Sequence, residues 1–168
     1  MRSALIVYGG WEGHDPEECA TIYRRWLHED GYSVRTATET SAFADPSIRD
    51  LSLIIPIFTM SKIAKEEAEN LTKAVEGGVG LAGHHGGMSD AFREAVDYQF
   101  MVGGQWVAHP GNIIDYTVDV TKPEDPIMAG LRARSRTSPS SITCMSTPRT
   151  RCWRRRPSRA NMPTGSMA

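Results

Sequence analysis

The chain has 168 residues, a formal net charge of −1 and 40% apolar residues; that length holds one domain whose core needs no disulfide or metal staple. The near-neutral total hides an asymmetry: residues 1–130 hold all 20 acidic residues and ten of the basic ones, net −10, whereas residues 131–168 hold nine arginines and no lysine, aspartate or glutamate. Cys19, Cys144 and Cys152 make neither a disulfide framework nor a zinc spacing, and the apolar runs are far too short for a signal peptide or a membrane span, so a reduced, cytoplasmic protein is expected.

Ser3–Val7 is an apolar run that ends at Tyr8-Gly9-Gly10, which reads as a buried first strand and a turn. In the next loop, Asp15 is placed to cap a helix, with Pro16 at its first position and Glu18 three residues after the cap as the reciprocal half of a capping box. Cys19, Ile22, Tyr23, Trp26 and Leu27 then recur at helical spacing, as one apolar stripe. His28 falls in the last turn as a partner for the helix dipole, and Gly31 stops the helix. Tyr32–Ala37 alternates and reads as a second strand. Leu51–Ile57 is continuously apolar, as a central parallel strand is, and Pro56 is expected near its carboxyl end because proline donates nothing to a ladder.

Ala64, Ala68, Leu71 and Val75 space another helix, with Lys65, Glu66, Glu67, Glu69 and Asn70 on its wet side and Gly77-Gly78 as its stop. Val79–Ala82 is a short strand. Gly83-His84-His85-Gly86-Gly87 follows with the G-x-X-x-G spacing of a nucleophile elbow, the sharp strand-to-helix turn that lifts one side chain above a sheet edge. The glycines leave room for strained dihedrals, and the residue at the tip is His85. A helix is expected from about Ser89 to Tyr98, with Asp90 as its cap, then a loop over Gly103–Gly111 and an edge-like strand over Ile113–Val120. Pro123 and Pro126 break the next segment.

Strands alternating with helices predict an α/β fold with a doubly wound, mostly parallel sheet and helices on both faces. Ligands of such sheets bind at the carboxyl ends of the strands, at the switch point in strand order. Four of the five histidines, His14, His84, His85 and His109, fall in loops at those ends. His14, His85 and His109 are the candidate catalytic residues. Neutral imidazoles also suit a divalent metal such as zinc, and three of them plus water would make an open Lewis-acid site. Alternatively, one histidine works as a general base. Trp11 and Trp106 sit beside His14 and His109, and their flat indoles suit an apolar sugar face. Gly10, Glu17 and His84 complete the candidate substrate-binding set. Gly9-Gly10 lacks a Walker lysine and the second half of a dinucleotide fingerprint, so it argues against a nucleotide.

Three motifs, Gly9-Gly10-Trp11-x-Gly13-His14-x-Pro16-Glu17, Gly77-Gly78-Val79-Gly80-Leu81-Ala82-Gly83-His84-His85 and Trp106-x-x-His109-Pro110-Gly111, resemble the trehalose-utilisation (ThuA-like) family over about residues 3–130. The resemblance implies a flavodoxin-like sandwich, similar to the class I glutamine amidotransferases, and a link to sugar metabolism. Where an amidotransferase has its nucleophilic cysteine, this chain has His85. An imidazole cannot form the thioester of glutamine hydrolysis, so amidotransferase activity is not expected. The expected function is binding or transforming trehalose or a related disaccharide at a histidine-lined crevice. The alternative is a non-catalytic module that binds a ligand or partner there, a homo-oligomer included.

Residues 131–168 read differently from the ThuA-like domain over 1–130. They are rich in Arg, Ser, Thr and Pro, with almost no apolar periodicity. One reading is a basic tail that binds nucleic acid; the strongly acidic domain argues against it. The sharper reading is translation out of frame. With the frame moved back by one nucleotide, the codons for Ser138–Arg156 are compatible with Ser-Glu-Gln-Tyr-Tyr-Met-His-Val-Asp-Pro-Ala-Asn-Glu-Val-Leu-Ala-Thr-Thr. Cys144-Met145 permits only His or Tyr in that frame. Relatives in the resembled family carry a similar acidic-aromatic motif after a Pro-Ile-x-x-Gly segment, here Pro126–Gly130. The 38 residues as translated are too polar to add to a core.

Overall fold

The computed structural model describes residues 1–109 and 115–130, and the backbone of strands 134–137, 143–146 and 156–157. The chain divides into two compact units, the first containing Met1–Trp106 and the second starting at Val107. The first unit is built on strands β1 (Ser3–Gly10), β2 (Ser33–Ala37), β3 (Leu53–Thr59) and β4 (Gly80–Leu81), with helices α1 (Pro16–Glu29), α2 (Lys65–Glu76), α3 (His85–Ser89) and α4 (Val96–Val102). The strands are parallel and lie in the order β2-β1-β3-β4. The first crossover runs from β1 to one side and the next returns to the other, so strand order reverses at the β1/β3 boundary. The expected doubly wound α/β architecture is present.

Both faces of the sheet are covered, which is why its strands read as unbroken apolar runs. On one face Leu5, Val7, Ile54 and Phe58 pack with Phe43, Ile48, Leu71, Phe92 and Tyr98. On the other, Ala4, Ile6, Ile55 and Ile57 pack with Ala20 and Leu27 of α1. The period-2 alternation along β1 and β3 assigns each residue to its face.

Pro56 lies in the middle of β3, opposite Val7 of β1, not near its end. The ladder to β4 stops at Ile54, so beyond that point β3 has only one strand neighbour and a missing N–H is tolerated. Glu67 and Asn70, expected on the wet side of α2, are buried. The Glu67 carboxylate accepts from the Ala64 N–H at 2.9 Å. Asn70 donates to the carbonyls of Phe43 at 2.7 Å and Asp45 at 3.1 Å and accepts from Arg49 at 2.8 Å. Trp26, expected in the buried stripe of α1, is exposed and meets Tyr23 edge-on.

The expected helix over 89–98 is two short ones. The first starts at His85 and ends at Ser89, and the second starts only at Val96. Asp90 is the N-cap of neither; it is the C-cap of α3, where it is buried, and its carboxylate accepts both the Nε–H and an Nη–H of Arg93. In the second unit β6 (Tyr116–Asp119) lies inside the expected edge strand. It pairs antiparallel with β7 (Arg134–Thr137) and β9 (Arg156–Pro157). Strands β5 (Gly104–Ala108) and β8 (Thr143–Ser146) belong wholly to neither unit, each having residues in both. Residues 110–114 lie outside the described residues, and with them part of the Trp106–Gly111 motif and the start of the predicted strand.

Candidate functional site

The carboxyl ends of β1 and β3 are held against each other where strand order reverses. Gly10 has φ +80°, and a Cβ there would lie 2.3 Å from the Thr59 carbonyl oxygen, so only glycine admits this approach. The Trp11 N–H donates to that same oxygen at 3.0 Å. A single 3₁₀ turn over Glu12–His14 follows, and Asp15 then takes a left-handed backbone (φ +45°) at the start of α1. In that conformation its side chain makes no capping bond, so the expected capping box is not formed. What the turn achieves is the placement of His14.

The His14 ring is fixed on three sides. Its Nδ1 hydrogen-bonds the Thr59 hydroxyl at 2.9 Å, and Thr59 is only 2% exposed. The indole of Trp11 meets it edge-on, with centroids 4.6 Å apart. The ring of His85 meets it at 4.8 Å, again edge-on. With Nδ1 committed to Thr59, Nε2 is the nitrogen of His14 left to face a ligand.

His85 sits at the tip of the turn between β4 and α3. Its φ is +50°, a left-handed backbone on a residue with a Cβ, as an elbow requires. The helix begins at His85 itself, not at Ser89. Gly86 and Gly87 are buried under the turn. A Cβ on Gly86 would lie 2.8 Å from His14 Cε1, and one on Gly87 would lie 3.1 Å from Ile57 Cα. The two glycines thus let α3 sit directly on β3 and bring the two imidazoles together.

His84, one residue before the tip, points to α1. Its Nδ1 is 3.0 Å from the Tyr23 hydroxyl and its Nε2 is 4.0 Å from Cys19 Sγ. Burial, and then the nearby His14, hold His84 below the ordinary imidazole range. Burial and then Cys19 push the Tyr23 phenol up.

Of the residues singled out in the sequence, the first unit brings together Trp11, His14, His84 and His85, with Gly10 beneath them. Glu17 is exposed on the first turn of α1. The Trp106 ring has the Arg93 guanidinium 4.2 Å above its centroid, so one of its faces is already occupied. His109 is exposed and belongs to the second unit. A three-imidazole metal site is therefore a feature of neither unit by itself, and among the described residues no three His, Cys, Asp or Glu side chains cluster as metal ligands.

A family model described as trehalose utilisation, ThuA, matches residues 3–146. The chain belongs to the ThuA family. The match extends past residue 130, where the sequence changes character. A ThuA-like protein from Bacteroides uniformis, known from a crystal structure, is similar in fold, with a TM-score of 0.66 at 23% identity. The likeness covers 88% of this chain and 62% of that one, so this ThuA chain spans less than two thirds of its neighbour's length. No curated protein matches the chain in sequence. No helix among the described residues is long and apolar enough to cross a membrane.

Three residues that meet these histidines escaped the sequence reading. Thr59 carried a signal, as the first hydroxyl after an apolar strand run, at the end where doubly wound sheets bind ligands. Cys19 and Tyr23 were visible only as members of an apolar stripe, and nothing in their spacing pointed at His84.

Proposed function

We propose that this chain binds a carbohydrate, trehalose or a related disaccharide, in the crevice over the carboxyl ends of β1, β3 and β4, and that His14 and His85 act there on a sugar hydroxyl. The observation that carries the reading is the His14–His85 pair at the strand-order switch point, with His14 locked by a buried hydroxyl. An imidazole offers one bare nitrogen and one N–H, so one ring serves as acceptor and the other as donor of a proton. The Trp11 indole, 50% exposed beside His14, offers a flat apolar face of the kind that stacks on a pyranose. Family membership supports the sugar class. The imidazole at the elbow tip argues against glutamine hydrolysis, because no acyl-thioester forms there.

The test is a titration with trehalose followed by tryptophan fluorescence and by the histidine ring signals in NMR. We expect a saturable change, weakened about tenfold or more by His14→Ala and by His85→Ala, the scale of one or two lost hydrogen bonds. Product formation in the same NMR tube separates an enzyme from a binding module. If trehalose, maltose and glucose all leave Trp11 and both rings unperturbed, the reading fails.

A further inference from the structure

On the α1 side of the crevice stands a second constellation that the His14–His85 pair does not use. Cys19 and Tyr23 are four residues apart and so share one face of α1. Both reach His84: Cys19 Sγ lies 4.0 Å from Nε2, and the Tyr23 hydroxyl lies 3.0 Å from Nδ1. The thiol's single proton has two acceptors in reach, His84 Nε2 and the His14 carbonyl at 3.6 Å. The order is nucleophile, base, orienting group: one imidazole nitrogen faces the thiol and the other hydrogen-bonds the phenol. Tyr23 fixes the plane of the imidazole, since the two rings lie 5.6 Å apart.

We infer that Cys19 is a nucleophile served by His84 and oriented by Tyr23, and that the ligand it takes is a small aldehyde, the open-chain form of a reducing sugar. The choice of aldehyde rests on the carbohydrate reading above; the nucleophile itself does not.

The step balances without a cofactor or redox partner. The Sγ–H proton passes to His84 Nε2 as sulfur attacks the carbonyl carbon. The C–S bond forms, and the π pair of the carbonyl moves onto oxygen. That oxygen takes the proton back from Nε2–H, leaving a neutral hemithioacetal and the imidazole as it began. His84 is suited to accept, because burial and then the nearby His14 favour its neutral form. Trehalose itself has no free aldehyde and so cannot react in this way.

Two measurements on the full chain test this. In the first, iodoacetamide labelling is followed by peptide mass mapping, which separates Cys19 from Cys144 and Cys152. Cys19 should react about tenfold or more faster than glutathione, as activated thiols do. His84→Gln should bring it back to the glutathione rate, and Tyr23→Phe should slow it several-fold, with unchanged circular dichroism. In the second, glyceraldehyde labelled with ¹³C at C1 should give a hemithioacetal carbon signal that Cys19→Ser and Cys19→Ala both remove. Trehalose titration of Cys19→Ser runs beside it. Retained trehalose binding with a lost adduct separates the two sites. An adduct with no trehalose response leaves the nucleophile standing and overturns only the disaccharide. A Cys19 no faster than glutathione, a rate unmoved by His84→Gln, or an adduct that survives Cys19→Ser overturns the inference.

Discussion

Gly86→Ala is the most direct probe of the packing that joins the two imidazoles. Gly86 lies in the one-turn helix α3 and has no left-handed backbone, so alanine should otherwise stabilise that helix by about 0.5–1 kcal/mol. Against this, the new methyl would stand 2.8 Å from His14 Cε1, 3.1 Å from His14 Nδ1 and 3.1 Å from Thr59 Cγ2. The His14 ring cannot swing aside, being held by Thr59 behind and Trp11 at its edge. Overpacking of this kind costs about 1–3 kcal/mol, so the clash wins and the net loss should be about 1–2 kcal/mol. For a chain of this size that is roughly 2–8 °C in Tm. In a His14→Ala background the two closest contacts vanish, and Gly86→Ala should then fall within about 0.5 kcal/mol of neutral. The coupling between the two changes, read from four thermal melts, should therefore be about 1 kcal/mol or more. An equal loss in both backgrounds would refute the reasoning, because it would mean that His14 does not occupy the space above Gly86.

Asn70→Ala removes the partner of two backbone carbonyls and of Arg49; a loss of about 2–3 kcal/mol in urea unfolding is expected, against less than ~1 for an exposed asparagine. Tyr98 is buried, donates to the Met88 carbonyl at 3.0 Å, and burial raises its phenol well above the ordinary range. Its native state therefore favours the protonated form, so this stability is present in full below ~10 and is lost as pH climbs through the raised native value. Absorbance titration should find one tyrosine that ionises only on unfolding, and Tyr98→Phe should remove that step. Sequencing of the coding DNA should find, over Ser138–Arg156, codons that all permit the reading one nucleotide back. A run of codons with no such alternative would end the out-of-frame interpretation.

The scaffold could be read from the sequence wherever one physical demand dominated. The apolar runs of β1 and β3 required burial on both faces, and Gly31 and Gly77-Gly78 could only stop helices. The glycine-flanked His85 could only sit on a strained turn, and its φ of +50° agrees. The failures came where residue type and position pulled apart. Glu67, Asn70, Leu71 and Ala74 form the buried face of α2, spaced as a helical stripe, but two of the four are polar and so read as wet. Asp15 has the type of a capping residue, yet the 3₁₀ turn before it sets a backbone from which it cannot cap. The candidate site was legible only as histidines at strand ends. What organises it was not, because Thr59, Cys19 and Tyr23 act across 45, 65 and 61 residues of sequence.

The loop after β1 is tied to the sheet twice by neighbouring groups of one residue: the Thr59 carbonyl accepts the Trp11 N–H, and its hydroxyl hydrogen-bonds the His14 ring. Lifting the loop would break both ties at once and strip a buried residue of its partners. The first loop is thus a fixed wall, not a flap. The Trp11 amide should then exchange with heavy water as slowly as the strands do.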